Sequence, residues 1–157
     1  MSTRVADGVG LIARLILGAV FLVAGALKVT TPEAMAKATQ AYQLLPHDVA
    51  AYVGYALPTI EIILGLLLVL GLFTRTAAVL TSLLVLAFII GIAQAWARGL
   101  TIDCGCFGGG GTVAAEDTNY LQRILEDVGL LLCGAWSSWR PTSSLSLDRA
   151  LFRPAPA

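Results

Sequence analysis

Charged residues are scarce in this sequence. Of its 157 residues only 13% are charged, whereas 57% are hydrophobic, and the mean hydropathy is +0.82. A soluble domain carries about 25% charged residues, and a chain this short has too much surface to cover with so few. The composition therefore excludes an ordinary soluble domain and favours an integral membrane protein.

An excess of basic residues is also absent. Ten Lys and Arg residues balance ten Asp and Glu residues, so the formal net charge is zero. Nucleic-acid-binding surfaces depend on clustered positive charge, and we therefore expect no nucleic acid among the partners. At this length one domain is expected.

Long apolar runs dominate what is present. A helix that crosses the hydrocarbon core of a bilayer needs about 20 mostly apolar residues. Four runs meet this requirement, at about 9–29, 50–73, 76–97 and 119–139. The fourth is the weakest, because it carries Arg123, Glu126 and Asp127 and charges inside a span are costly. We predict an all-α, polytopic membrane protein whose residues 1–140 form a four-transmembrane-helix bundle.

The first run has a second interpretation, as a cleaved secretory signal. Arg4 resembles a basic leader and Ala24-Gly25-Ala26 resembles a cleavage site. Its length and the interruption at Arg14 favour a membrane span instead. Gly18 and Gly25 lie a heptad apart on one helical face, which predicts close helix packing.

The distribution of Lys and Arg predicts the orientation in the membrane. With four spans, the N-terminus, the second loop and the C-terminus share one side. That side carries Arg4, Arg75, Arg140, Arg149 and Arg153. We therefore predict a multi-pass protein of the bacterial plasma membrane, with both termini cytoplasmic and the third loop extracytoplasmic. Residues 141–157 are expected to form a mostly disordered cytoplasmic tail.

The first outer loop contains a helix signal. Thr31 is a suitable N-cap, and Pro32 and Glu33 suit the first helical turn. Apolar residues then recur at helical spacing, at Met35, Ala38, Tyr42 and Leu45. This pattern predicts a short amphipathic helix that lies in the outer membrane interface and ends before Pro46.

Cysteine is rare, but two of the three cysteines, Cys104 and Cys106, are one residue apart. Gly105 between them tolerates the backbone torsions that a disulfide would require. A bond that closes so small a ring adds little stability, and a strained, exposed disulfide exchanges readily. On the oxidising side of a membrane, this pair predicts thiol–disulfide exchange.

Metal binding is the alternative chemistry for this pair. The only histidine, His47, is expected on the same side as Cys104 and Cys106, and the three could hold a soft metal such as copper(I) or zinc. Zinc sites usually place two to four residues between cysteines, which disfavours zinc. Our leading prediction is that this pair binds no metal, and a metal-handling membrane protein is kept as an alternative.

Charged residues inside the spans form a second candidate site. Counting residues places Arg14, Glu61 and Asp127 near mid-depth, where such groups face inward and pair. We expect an Arg14–Glu61 pair with Asp127 as a third member and Arg123 one helical turn from Asp127. A quinone or proton site coupled to the cysteines and a structural clamp between helices both fit these residues.

Four motifs resemble one known family. They are Leu17-Gly18 with Gly25 and Lys28, Tyr42 to Pro46, Pro58 to Glu61, and Cys104 to Gly108. On these motifs the chain, over roughly residues 14–132, resembles the DoxX/MauE family of small, redox-associated bacterial membrane proteins.

The resemblance implies a four-helix transmembrane bundle. MauE-like members are associated with an extracytoplasmic thioredoxin-like protein in disulfide formation. This role is an analogy to membrane oxidoreductases that exchange electrons with quinone. DoxX-type relatives are linked instead to sulfur oxidation. By motif match, Cys104 and Cys106 correspond to the redox pair and Glu61 to the characteristic intramembrane acid. The last span departs from the family pattern, because Glu126-Asp127 stands where an Arg-Asp pair is common.

We therefore predict a membrane thiol–disulfide redox protein that exchanges electrons with an extracytoplasmic thioredoxin-fold partner through Cys104 and Cys106. Quinone is a candidate electron acceptor or donor, and no cofactor is assigned. Two alternative functions stay open. The protein could handle metal ions, as above, or it could be a non-catalytic accessory or assembly subunit of a larger membrane complex.

Overall fold

The computed structural model describes residues 3–105, 109–114, 118–139 and 148. Its helices and strands, in chain order, are α1 (Thr3–Val29), α2 (Pro32–Ala41), α3 (His47–Leu70), α4 (Thr74–Ala97), β1 (Ile102–Asp103), β2 (Gly111–Thr112) and α5 (Tyr120–Trp139). The prediction of an all-helical membrane fold is confirmed, with a small β-hairpin added between α4 and α5.

Three helices among the described residues are long and apolar enough to cross a bilayer: Asp7–Val29, His47–Leu70 and Thr74–Ala97. They match the first three predicted runs to within three residues at each end. The fourth run corresponds to the 20-residue helix α5. This helix is long enough to cross a bilayer but is not apolar enough, because its first half carries Arg123, Glu126 and Asp127. The four-span count thus stays a prediction.

Polar side chains lie inside the bundle and apolar side chains face outward. Arg14, Lys28, Glu61 and Thr81 are buried. The exposed large apolar side chains include Ile12, Ile63, Leu83, Ile90, Leu125 and Leu132. A soluble protein has the opposite arrangement, whereas helices surrounded by lipid turn their charged groups inward.

Helices α1 and α3 pack backbone to backbone through glycine. A Cβ atom on Gly25 would lie 2.8 Å from the Pro58 carbonyl oxygen, and one on Gly65 would lie 2.9 Å from the Gly18 carbonyl oxygen. Only small residues permit so close an approach. Because Gly18 meets Gly65 while Gly25 meets Pro58, the two helices run antiparallel in a fixed register.

Helix α5 runs antiparallel to α4, since Gly134 lies against Ala78 and Ser82 while Tyr120 stacks on Trp96. The start of α1, the α3–α4 turn and the end of α5 are therefore at one end of the bundle. The carboxylate of Asp148, from the segment after α5, accepts hydrogen bonds from the backbone N–H groups of Phe73 (2.7 Å) and Thr74 (2.8 Å) at that end.

Asp148 caps the N-terminus of α4. Burial alone would raise the pKa of this carboxyl, but the hydrogen bonds from Thr74 and Phe73, together with the charge of Arg14, hold the pKa below its ordinary value. Asp148 lies within the predicted tail, and the rest of residues 141–157 is outside the described residues.

Helix α2 begins at Pro32 as expected, but it ends at Ala41 rather than just before Pro46. Gln43 adopts a positive φ of 51°, which stops the helix early. The side chain of Thr31 makes no cap hydrogen bond. Met35, Ala36 and Ala38 are buried, and a Cβ atom on Gly54 of α3 would lie 2.6 Å from the Met35 carbonyl oxygen. Helix α2 is thus packed directly onto the bundle.

The glycine contacts make a testable prediction about stability. Gly25→Ala forces its Cβ against the backbone of Pro58, and we expect the free energy of unfolding to fall by about 1–3 kcal/mol. Gly129→Ala is the matched control, because a Cβ atom at this α5 position meets nothing within 4 Å. Thermal unfolding in detergent measures both, and equal effects of the two changes would contradict the backbone contact.

Candidate functional site

The cysteine loop is the connection of a short β-hairpin. Strands β1 and β2 are antiparallel, with Ile102 opposite Thr112 and Asp103 opposite Gly111. Cys104 directly follows β1, and the backbone N–H of Gly105 donates a hydrogen bond to Asp103 Oδ1 (3.3 Å). Cys106, the second predicted redox residue, lies outside the described residues.

Two tyrosines hold the hairpin against the bundle. The Tyr120 hydroxyl donates to the Leu100 carbonyl and accepts from the Ile102 backbone N–H (3.0 Å). The Tyr42 hydroxyl, at the end of α2, donates to the Cys104 carbonyl oxygen (3.0 Å). The backbone that carries Cys104 is therefore positioned by two separate helices.

Helix α2 also covers the loop. Gly105 and Gly110 adopt positive φ angles of 69° and 138°, and a Cβ atom on Gly110 would collide with the Ala38 Cβ. These glycines thus meet both a backbone requirement and a packing requirement. Cys104 is consequently placed beneath α2, where it borders the interior of the bundle.

An apolar cavity of about 250 Å³ lies between α2, α3, α4 and the hairpin. Cys104 lines it on one side and Lys28 on another. Its other walls include Met35, Ala38, Tyr42, Leu57, Phe88 and Gly91. A cavity of about 150 Å³ accepts benzene, so this space is sufficient for a substituted aromatic ring.

Lys28 forms a buried ion pair with Glu61. Its Nζ lies 2.6 Å from Glu61 Oε1, and the two residues are 4% and 1% exposed. The same Nζ lies 5.5 Å from the centroid of the Phe88 ring. The ammonium group is thus held by a carboxylate and by the negative face of an aromatic ring.

The predicted pairing of Glu61 with Arg14 was wrong in its cation. In this antiparallel register Glu61 is level with about residue 22 of α1, where the long side chain of Lys28 reaches it, whereas Arg14 lies about eight residues, roughly 12 Å, farther along the helix in the other direction. Arg14 is buried on the side of Glu61 that is nearer the α3–α4 turn, and it interacts electrostatically with Asp148. The cation paired with Glu61 is therefore Lys28 and not Arg14.

A second, smaller cavity of about 40 Å³ continues from the ion pair toward α5. Lys28 and Glu61 line it on one side, and Arg123, Glu126 and Asp127 line it on the other. Asp127 thus lines the same small cavity as Glu61, and its membership of a charged cluster with Arg14 stays a prediction. Arg123 Nη1 forms a salt bridge with Glu126 Oε2 (3.0 Å).

The family model of the methylamine utilisation protein MauE matches residues 6–140 of the chain. The chain belongs to the MauE family. MauE is part of the DoxX-like membrane family, which agrees with the resemblance seen in the motifs. Neither the curated proteins nor the solved structures contain a match to this chain.

The alternative metal site is not assembled among the residues described in this MauE-family protein. His47 begins α3 with an exposed side chain, and its carbonyl accepts a hydrogen bond from Gln40 Nε2 (3.1 Å). Within the described ranges, no three His, Cys, Asp or Glu side chains lie together as metal ligands would. Cys106 of that alternative lies outside those ranges.

Lys28 is the site residue that sequence reasoning missed. In the sequence it stands at the end of the first apolar run, and it was named only as part of a family motif. Its position one residue before the end of α1 and its place in the family motif were the available signals. Tyr42 was assigned only to the apolar face of α2, although its hydroxyl contacts the cysteine loop.

A double-mutant cycle tests the ion pair. Lys28→Met and Glu61→Met each leave a buried charge without its partner, so each should lower the free energy of unfolding by about 3–5 kcal/mol. The double variant removes both charges and should recover most of that loss. Unfolding in detergent measures the coupling.

Arg14→Met combined with Glu61→Met is the control for this cycle. The two positions lie about eight residues, roughly 12 Å, apart along the α1 axis, so their effects should add to within about 0.5 kcal/mol. Strong coupling of Glu61 to Arg14, with none to Lys28, would contradict the register described above.

Proposed function

We propose that this MauE-family protein is a membrane thiol–disulfide redox protein. Cys104 and Cys106 exchange electrons with an extracytoplasmic thioredoxin-like partner, and a quinone in the apolar cavity is the second redox substrate. The observation that carries the proposal is that Cys104 and Lys28 line one cavity large enough for an aromatic ring.

The proposed membrane arrangement has four spans, with α5 as the fourth. Its exposed face carries an apolar stripe: Leu121, Leu125, Val128 and Leu132. Its buried face contains Asp127 and Ser137, which suits a helix that turns polar groups toward the bundle. With four spans the hairpin is extracytoplasmic in the plasma membrane, and both termini are cytoplasmic.

The proposed reaction has two steps, and electrons and protons balance in each. A thiolate of the partner attacks the Cys104–Cys106 disulfide, a mixed disulfide forms, and the second partner thiol resolves it, which leaves the partner oxidised and the loop cysteines reduced. The two loop thiols then lose two electrons and two protons as their disulfide re-forms. The quinone gains two electrons and two protons and becomes a quinol.

Lys28 has a direct role in this scheme. A quinone oxygen that accepts electrons develops negative charge, and the Lys28 ammonium at the cavity wall stabilises that charge. The apolar walls exclude water, which strengthens the interaction. Glu61 keeps the ammonium in position through their ion pair.

A second candidate is a non-catalytic accessory subunit of a larger membrane complex. The family match favours it, since the family is described by methylamine utilisation rather than by a reaction. In that case the hairpin and α2 would form a docking surface, and the thiols would be dispensable. Replacing both loop cysteines by serine distinguishes the two candidates.

Trapping of a mixed disulfide tests the leading proposal. In a Cys133→Ser background, Cys106→Ser or Cys104→Ser leaves one loop thiol that cannot be resolved within the chain. We expect one of these variants to accumulate a disulfide-linked adduct with a thioredoxin-fold protein in intact cells, seen on non-reducing gels and identified by mass spectrometry.

The Cys104→Ser/Cys106→Ser chain, which keeps the free thiol of Cys133 in α5, is the matched control and should give no adduct. If neither single-thiol variant forms an adduct and the control chain still supports full oxidation of exported thiols, the accessory-subunit reading replaces thiol exchange.

A further inference from the structure

Two carboxylate oxygens beside the small cavity have no hydrogen-bond partner among the described residues. They are Glu61 Oε2 and Asp127 Oδ2, and both atoms are enclosed. The residues are 1% and 7% exposed, and both line the 40 Å³ space. A buried oxygen without a donor is costly, so each requires a partner that the surrounding helices do not supply.

The charges around this cavity do not balance. Lys28 on α1 pairs with Glu61 on α3, and Arg123 pairs with Glu126 on α5. Among the described residues, Asp127 forms no salt bridge. The α4 residues at the cavity, Val85 and Phe88, contribute no charge.

A charged carboxylate without a salt-bridge partner is energetically unfavourable beside this cavity. An unpaired charge within a span costs several kcal/mol, and a buried group in that position takes up a proton rather than remain charged. A protonated Asp127 gains an O–H donor, which can satisfy an acceptor across the cavity. Its neutral form therefore resolves both the charge and one missing hydrogen bond.

The cavity has room for the connecting molecule. One water needs about 10–15 Å³ of such space and two to four polar neighbours. The 40 Å³ available exceeds that, and the polar residues that line the cavity include Glu61, Asp127 and Lys28.

We propose that the cavity between α3 and α5 is a proton-binding site, in which Asp127 holds a proton that enclosed water links to Glu61 and Lys28. The site lies on the opposite side of the ion pair from Cys104, and Lys28 and Phe88 line both cavities. It therefore stands between α5 and the large cavity.

This inference rests on the proposed function and assigns the proton path of the same site. When the quinone is reduced, Asp127 gives its proton through the enclosed water and Lys28 to a quinone oxygen. The two protons released by the loop thiols leave at the hairpin, and protons from the surrounding water reload Asp127 past the partly exposed Arg123–Glu126 pair. Overall, two protons enter the quinol and two leave the thiols.

Infrared spectroscopy of the purified protein at neutral pH tests the resting state. We expect the C=O stretching band of one protonated carboxyl per chain, shifted when H₂O is replaced by D₂O. Asp127→Asn, which keeps the size of the side chain, should abolish this band. Glu33→Gln, at an exposed carboxyl in the first turn of α2, should leave it unchanged.

Absence of the band in the wild-type protein, which requires no variant to fold, would overturn the proposal. So would its persistence in Asp127→Asn. Quinol formation by the reduced protein provides the second readout, and we expect it to slow by about 100-fold in Asp127→Asn; an unchanged rate would overturn the assignment of Asp127 as proton donor.

Together, mixed-disulfide trapping and the infrared band distinguish failure of the proton site from failure of the proposed thiol exchange. Mixed-disulfide trapping at the loop does not involve Asp127, so trapping should persist in Asp127→Asn. Trapping without the infrared band would leave thiol exchange standing and remove the proton site. The band without any trapped adduct would leave a proton-binding site and remove thiol exchange.

Discussion

The buried Lys28–Glu61 ion pair is the interaction on which the rest of this structure depends. Two charges removed from water are tolerated only where their geometry and surroundings compensate the lost hydration. Here a 2.6 Å contact and the ring of Phe88 provide that compensation. The contact also requires α1 and α3 to meet in one register, which the facing glycines Gly18, Gly25 and Gly65 permit.

That register also determines where the two cavities lie. The pair separates two cavities, a large apolar one that Cys104 borders and a small one that Asp127 borders. A redox reaction of thiols with an organic oxidant needs an apolar space for the oxidant, a cation for its developing charge and a source of protons. These three requirements fall on neighbouring parts of one bundle.

Much of the frame was predictable from the sequence because it depends on local pattern. Apolar runs gave the three long helices, and Pro32 with the spacing of Met35 and Ala38 gave α2. Gly18 and Gly25 indicated close packing before their partners were known. The membrane character followed from composition alone, and the outward-facing apolar surface agrees with it.

The site was less predictable because it depends on long-range register. Residue counting assigned Arg14 to Glu61, but the glycine contacts bring Lys28 there instead. The early end of α2 at Ala41 places Tyr42 where its hydroxyl reaches the Cys104 carbonyl, a contact that helical periodicity could not indicate. The cavities likewise result from how the five helices and the hairpin meet, and no single segment encodes them.

Photolabelling with an azidoquinone tests most directly whether an apolar oxidant occupies the space between Cys104 and Lys28. The account predicts that label is incorporated into residues 53–57 of α3 and 84–91 of α4, and that excess unlabelled quinone prevents it. Label confined to lipid-facing side chains such as Leu83 and Leu125, without competition, would contradict the account.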